Sequence, residues 1–206
     1  MAELAGKSAS IKVSGTATTL AEEALEHVTD NTWQIETAAK QVIDYASTPT
    51  LELSDGIGGW DDITYVSVNK LTGVFTFSGA GYADTETIRV KAGNYLPLSA
   101  AAYAHEFSYA RGVDLMEVNK FGDTYKSRLA GLKFASGTLS QWDATSEYYA
   151  DALVAGDPVI IEFLYETGAD PIRVWALLES LEMAAAIADP QNQIVTFIST
   201  DELLDN

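Results

Sequence analysis

His105-Glu106 opens as a zinc-protease helix does, a histidine followed at once by the glutamate that would serve as general base. That chemistry needs a second histidine four residues on, so that both imidazoles share one helical face, and Tyr109 stands there instead. The other histidine, His27, has no obvious partner, and no Gly-x-Ser-x-Gly elbow occurs to expose a serine nucleophile. Gly56-Ile-Gly58 lacks the final glycine of a dinucleotide-binding loop. Acid pairs are plentiful, but thirty Asp and Glu in 206 residues make chance pairs certain, and no spacing singles one out for glycoside hydrolysis. The chain therefore reads as a non-enzyme with no catalytic, cofactor-binding or metal-ligating set.

The elements that would hold any site are mostly strands. Tyr103, His105, Phe107 and Tyr109 line one side of a strand, which makes His105 a packing residue. Ala9, Ile11 and Val13 alternate with Ser8, Ser10, Lys12 and Ser14, and Glu86, Ile88 and Val90 alternate with Thr87, Arg89 and Lys91, each a strand with one wet face. Ile63–Val68 and Val74–Phe77 flank Asn69-Lys-Leu-Thr-Gly73, the clearest hairpin, its glycine suited to a left-handed position. Pro158–Glu166 and Gln193–Ser199 are apolar on both faces, so they belong centrally or against another subunit. Ile172–Ile187 fits either period; a strand over Ile172–Met183 is preferred because two strong strands bracket it and Pro190 closes it like a hairpin connection. The one good helix is Thr145–Ala155, with Tyr149, Ala152 and Leu153 on a stripe and Gly156-Asp-Pro as its stop. Ala21–His27 is short, a turn of helix or a loop.

Composition excludes several classes. Twelve Lys and Arg against thirty Asp and Glu give a net charge of −18, a surface that repels phosphate chains and disfavours tight nucleic-acid binding. With no cysteine there is no disulfide and no thiolate zinc site. The Met1–Lys7 start has an acid at position 3 and no seven-residue apolar stretch, so it does not read as a secretory signal. The longest mostly apolar run, Ile172–Ala188, is broken by Arg173, Glu179 and Glu182, short of a bilayer span. No linker or low-complexity tract divides the chain. The acidic, glycine-rich Ser54–Asp62 stretch is open to three readings: a solvated turn, a calcium loop lacking EF-hand spacing, or an arm reaching a neighbouring subunit with Ile57 and Trp60 as apolar anchors.

Taken in order, Thr32–Asp44, Tyr65–Phe77 with its VNKLTGVFTF hairpin, Tyr95-Leu-Pro-Leu98, Phe121-Gly-Asp-Thr-Tyr-Lys126 and Gly131–Ser140 resemble the tail tube (major tail) proteins of long-tailed, siphovirus-type bacteriophages, over roughly residues 8 to 200. The resemblance implies a mainly β fold, a β-sandwich or β-barrel with one flanking α-helix at about 145–155. It implies one tail-tube domain over 1–206, with an extended N-terminal segment (1–7), a long loop (48–62) and a C-terminal tail (200–206). It further implies hexameric rings stacked into the hollow tube of a virion, non-contractile by preference. The subunit would be made in the bacterial cytoplasm and would meet tape measure, tail terminator and tail-tip proteins, with no membrane. DNA would pass through without tight binding, as an acidic wall allows, and a heterologous head-to-tail contact that does not close would build the filament. Phe121–Ser140 would be a loop feeding a structural strand. The interface set is Ile57 and Trp60 on the Ser54–Asp62 stretch, with Ile63, Tyr65, Val68, Val74, Phe75 and Phe77 on edge strands that continue a sheet into the next subunit or else on ordinary core strands. The N-terminal segment, the 48–62 loop and the tail are candidate ring-to-ring contacts. The rivals are a capsid decoration or tail-completion protein of similar fold, a carbohydrate-binding β-sandwich using Trp33, Trp60, Trp142 and Trp175 as stacking platforms, and a carboxylate-pair hydrolase.

Overall fold

The computed structural model describes residues 10–79, 82–100, 104–117, 128–142, 148–164, 171–186 and 189–204. The backbone is mainly β, as the resemblance implies. Strands β1 (Ser10–Ser14), β2 (Thr18–Thr19), β3 (Glu23–Thr29) and β4 (Thr32–Ile35) lead to a 3-10 turn at Ala38–Lys40. Next come β5 (Thr50–Ser54), β6 (Trp60–Ile63), β7 (Ser67–Asn69), β8 (Val74–Thr76), β9 (Ile88–Ala92), β10 (Asn94–Tyr95) and β11 (Leu98–Ala100). The long strands β12 (Ala104–Glu117) and β13 (Arg128–Trp142) precede the helix α1 (Tyr148–Ala155), and β14 (Val159–Leu164), β15 (Ile172–Ala186) and β16 (Asp189–Leu204) complete the order. The chain forms two compact units, Lys12–Ser99 and a second made of Met1–Ile11 with Ala100–Asn206, so the division falls within β1 and β11.

In the 12–99 unit a sheet of order β6-β5-β9-β3-β4-β8-β7 is antiparallel throughout. Period-two alternation puts Leu25, Trp33, Ile35, Leu51, Phe75, Ile88 and Val90 on one face, where they form a core with Leu20, Ile43 and Phe77. The expected β7–β8 hairpin is present. Gly73 sits at φ +67°, its N–H donating to the Asn69 carbonyl at 2.9 Å, and a Cβ there would lie 2.7 Å from the Gln41 oxygen. Gly73→Ala is therefore expected to destabilise this unit by roughly 1–3 kcal/mol, read as a lower denaturant midpoint.

Lys40 pairs with the buried Glu23. Burial alone raises the Glu23 carboxyl, but hydrogen bonds from Lys40 and Thr37 and the ammonium charge outweigh it and leave it below 4.5; Lys40 is raised above 10.5, first by its hydrogen bond to Glu23. A lowered carboxyl stabilises the fold above its unfolded pKa and loses that contribution as pH falls through the folded one, whereas a raised ammonium loses its own as pH rises through its folded value. The pair thus supports the unit across the neutral range. Lys40→Met should remove its share of the acid limb below 4.5, visible in melting temperatures taken from neutral to acidic pH.

Three expectations in this unit are corrected. Ala21–His27 is neither helix nor loop: helix-forming residues are overridden by pairing, with Leu25 buried between Ile35 and Ile88 in β3. Ile63–Val68 is not one strand, because β6 and β7 lie at opposite edges of the sheet; the chain crosses at residues 64–66, where the Tyr65 hydroxyl donates to the Pro49 carbonyl at 3.0 Å. The long 48–62 loop is instead the β5–β6 hairpin, in register from Leu51↔Ile63 to Ser54↔Trp60, since Asp55 closes a tight turn that lets the flanking residues pair.

The second unit is built on β14-β15-β16-β13-β12 of the other sheet, whose full order is β11-β1-β14-β15-β16-β13-β12. Val159–Phe163 of β14 is buried at every position, as its doubly apolar sequence requires. The sheet curls, for Phe107 and Tyr109 of β12 reach Phe163 of β14 with ring centroids 4.9 and 5.7 Å apart although three strands lie between them. Phe163 also stacks on Phe197, and Leu139, Val174, Trp175, Ala176 and Val195 complete the core. Two polar pairs lie with it, the first part-buried and the second buried: Arg173 donates to Glu162 at 2.7 Å, and Gln141 to Gln193 at 2.5 Å. The strand reading of Ile172–Met183 holds, extended to Ala186 in a hairpin with β16. The helix is Tyr148–Ala155, packed against β15 and ended by Gly156 at φ +71°. The expected tail over 200–206 is corrected, since residues up to Leu204 continue β16 and pair with β15, Leu204 opposite Arg173. The N-terminal 1–7 segment and the Phe121–Lys126 motif lie outside the described residues.

Candidate self-association surface

The β12–β13 hairpin outgrows its sheet. β13 pairs with β16 only from Ser136 to Trp142, while Arg128–Ala135 pairs with β12 alone, Arg111 standing opposite Ala135. From there the chain continues as a two-stranded ribbon, Arg111–Glu117 against Arg128–Ala135, about 23 Å long at ~3.3 Å per residue. Such a ribbon is marginal by itself in water. Its sequence is also not that of a solvated hairpin. Met116 faces Leu129 directly across the strands, which puts both on one face, and Val113, Leu115 and Ala130 take the other by alternation. Leu115, Met116 and Leu129 are each more than half exposed. Between Val113↔Lys133 and Leu115↔Ala130 a bulge sets Gly131 and Leu132 against Asp114 alone, and Leu132 is 82% exposed there.

β12 is moreover an edge strand. Fourteen residues long, it carries neither lysine nor proline to blunt pairing with another chain. Gly112 would weaken it, but the Phe134 ring covers that glycine from the neighbouring strand. Charge is sorted in the same place. Residues 104–142 hold five of the twelve Lys and Arg and four of the thirty Asp and Glu, a net +1, which leaves −19 on the rest.

The predicted interface residues are dispersed differently. Phe75 and Phe77 are buried in the core of the 12–99 unit, and Ile63, Tyr65 and Val68 pack against that core; Val74 is half-buried on β8, interior between β4 and β7. Ile63 and Tyr65 also line a cavity, and Ile57 and Trp60 are turned away from the core. Ile57 is 92% exposed at the tip of the β5–β6 turn, held by its own N–H and that of Gly59 donating to Asp55 at 2.9 and 2.7 Å. Those bonds hold the Asp55 carboxyl below its usual range. The Arg89 guanidinium lies 3.7 Å over the Trp60 ring and pairs with Glu52. The sequence reading passed over the arm, though one signal was available: five bases within residues 111–133 of a strongly acidic chain.

Other chemistry finds little support. Trp33 and Trp175 are buried, Trp142 lies beneath His105 with ring centroids 4.3 Å apart, and Arg89 covers Trp60, so the tryptophans offer no shared stacking platform for a sugar. His27 meets Trp33 edge-on and the Asp30 carbonyl at 3.0 Å. Among the described residues no group of three or more His, Asp or Glu could hold a metal ion, and no helix is long and apolar enough to cross a membrane. A cavity of about 640 Å³ opens in the 12–99 unit between Pro49, Leu51, Ile63 and Tyr65, with Asp62 and Lys91 paired at 2.5 Å on its rim.

No family model and no curated protein matches the chain. Among solved structures, a chain of the tail of an empty gene transfer agent particle, determined by helical refinement with C6 symmetry, is similar at 11% identity and a TM-score of 0.46, over 53% of this chain and 87% of that one. A chain from the virion of a native gene transfer agent particle is similar at 11% identity and 0.44, over 52% and 86%.

Proposed function

We propose that this chain is a structural subunit of a phage-like tail, which self-associates into hexameric rings stacked as a hollow tube, the conduit for a genome. The observation that carries the reading is the arm: a ribbon at the end of a fourteen-residue edge strand, with Met116, Leu129 and Leu132 exposed at the bulge and Leu115 exposed on the other, more charged face. Water is a poor partner for these exposed apolar side chains, and an edge strand can offer main-chain donors and acceptors to a neighbouring strand. The ordered motif series that resembles tail tube proteins names the assembly that such a subunit builds. The net charge of −18 suits a wall along which DNA slides, since few cations are presented to hold it. Tape measure, terminator and tail-tip proteins would be the further partners, and the virion the location.

Negative-stain electron microscopy of the purified chain across a concentration series tests this. Hollow tubes or stacked rings are expected. Isolated rings or trimers that never stack would move the assignment to a tail-completion or decoration protein, and monomers at every concentration, also in the presence of a tail-tip initiator complex, would overturn it.

A further inference from the structure

The arm needs a receiving surface, and the 12–99 unit offers one. Its cavity of about 640 Å³ is floored by Pro49, Leu51, Ile63 and Tyr65 and is open to side chains the size of leucine. Asp61 and Asp62 stand exposed beside it, and the unit as a whole carries twelve acids against five bases, a net −7. The arm presents the complementary set: Leu132, pushed outward by the bulge, with Leu129 and Met116 near it and Arg128 and Lys133 flanking. Lys91, the cation at the cavity mouth, is already paired with Asp62, so it does not repel an incoming base.

We infer that the arm of one copy docks on the 12–99 unit of a second copy, with Leu132 seated in the cavity between Leu51, Ile63 and Tyr65 and the arm's bases against Asp61. Apolar fit supplies the attraction, and the sorting of charge supplies the direction, because an arm at +1 meets a −7 surface while two such surfaces repel each other. The inference rests on the self-association proposed above and adds the address of the contact.

The chain has no cysteine, so introduced thiols report one contact at a time. Leu132→Cys and Thr64→Cys, the latter at the cavity rim, are made as separate variants of the full chain, mixed, and oxidised under conditions where the unmodified chain associates. A mixed disulfide dimer is expected at least tenfold above the control mixture of Leu132→Cys with Ser67→Cys, which places the second thiol on β7 at the opposite edge of the sheet. Rings or tubes that form with no excess over the control would overturn the cavity as the receiving site and leave self-association standing. Failure of the unmodified chain to associate at all would overturn both.

Discussion

Met116→Lys with Leu129→Lys leaves the subunit folded and abolishes its assembly. Both side chains are more than half exposed in the single chain, so the melting temperature should stay within a degree or two of the parent. In an assembly that covers them, each contributes about 1.5–3 kcal/mol by apolar burial, and an ammonium put in its place must be desolvated without a partner. A loss of 3 kcal/mol or more raises the association threshold by at least about a hundredfold, which sedimentation velocity or light scattering reads directly. Lysine makes the sign of the result informative. It adds positive charge to an arm that faces an acidic chain, so an association driven by charge alone would strengthen, while one driven by apolar contact collapses. An unchanged threshold would remove the arm from the interface.

The second large effect lies inside the subunit. Arg173→Leu leaves Glu162 in the β14–β15 core without its guanidinium, where the glutamate is only 3% exposed. Removing one partner of a buried pair typically costs about 3–5 kcal/mol, since the remaining charge loses compensation it cannot recover from water. Urea unfolding should show it as a lower midpoint with little change in slope. The double variant Glu162→Leu with Arg173→Leu should recover at least half of the loss, because two apolar side chains of similar reach can replace the pair. Equal losses in the single and double variants would mean that shape rather than charge holds this part of the sheet.

Strand periodicity was the legible part of the fold. Alternation marked β1, β9 and the β7–β8 hairpin, and doubly apolar runs marked β14 and β16 as central. The helix stop at Gly156 was legible too, since a positive φ there matches its place after Ala155. What misled was pairing over distance. Ile63–Val68 alternates as a single strand would, and nothing local says that its two ends belong to opposite edges of one sheet. Glu23–His27 has the composition of a helix, and only Ile35 and Ile88, remote in sequence, make Leu25 a strand residue. The candidate interface set mixes core residues with residues that line the surface. Phe75 and Phe77 are apolar because a core needs them, and composition cannot distinguish a residue that faces its own unit from one that faces a neighbour. The arm was hidden because exposure on both faces of a ribbon follows from where β16 stops pairing with β13, a fact of register rather than of local sequence.

The two ends of the larger sheet are unlike, with fourteen residues of β12 at one and three of β11 at the other. A head-to-tail contact through that sheet, β12 of one subunit against β11 of the next, would therefore leave most of β12 to be covered by something else. The rings proposed above, built from such head-to-tail contacts, would have a front and a back, and a stack of them two different mouths. In such a stack one mouth would accept the next ring while the other met whatever starts the assembly, so growth and termination would be controlled at separate ends.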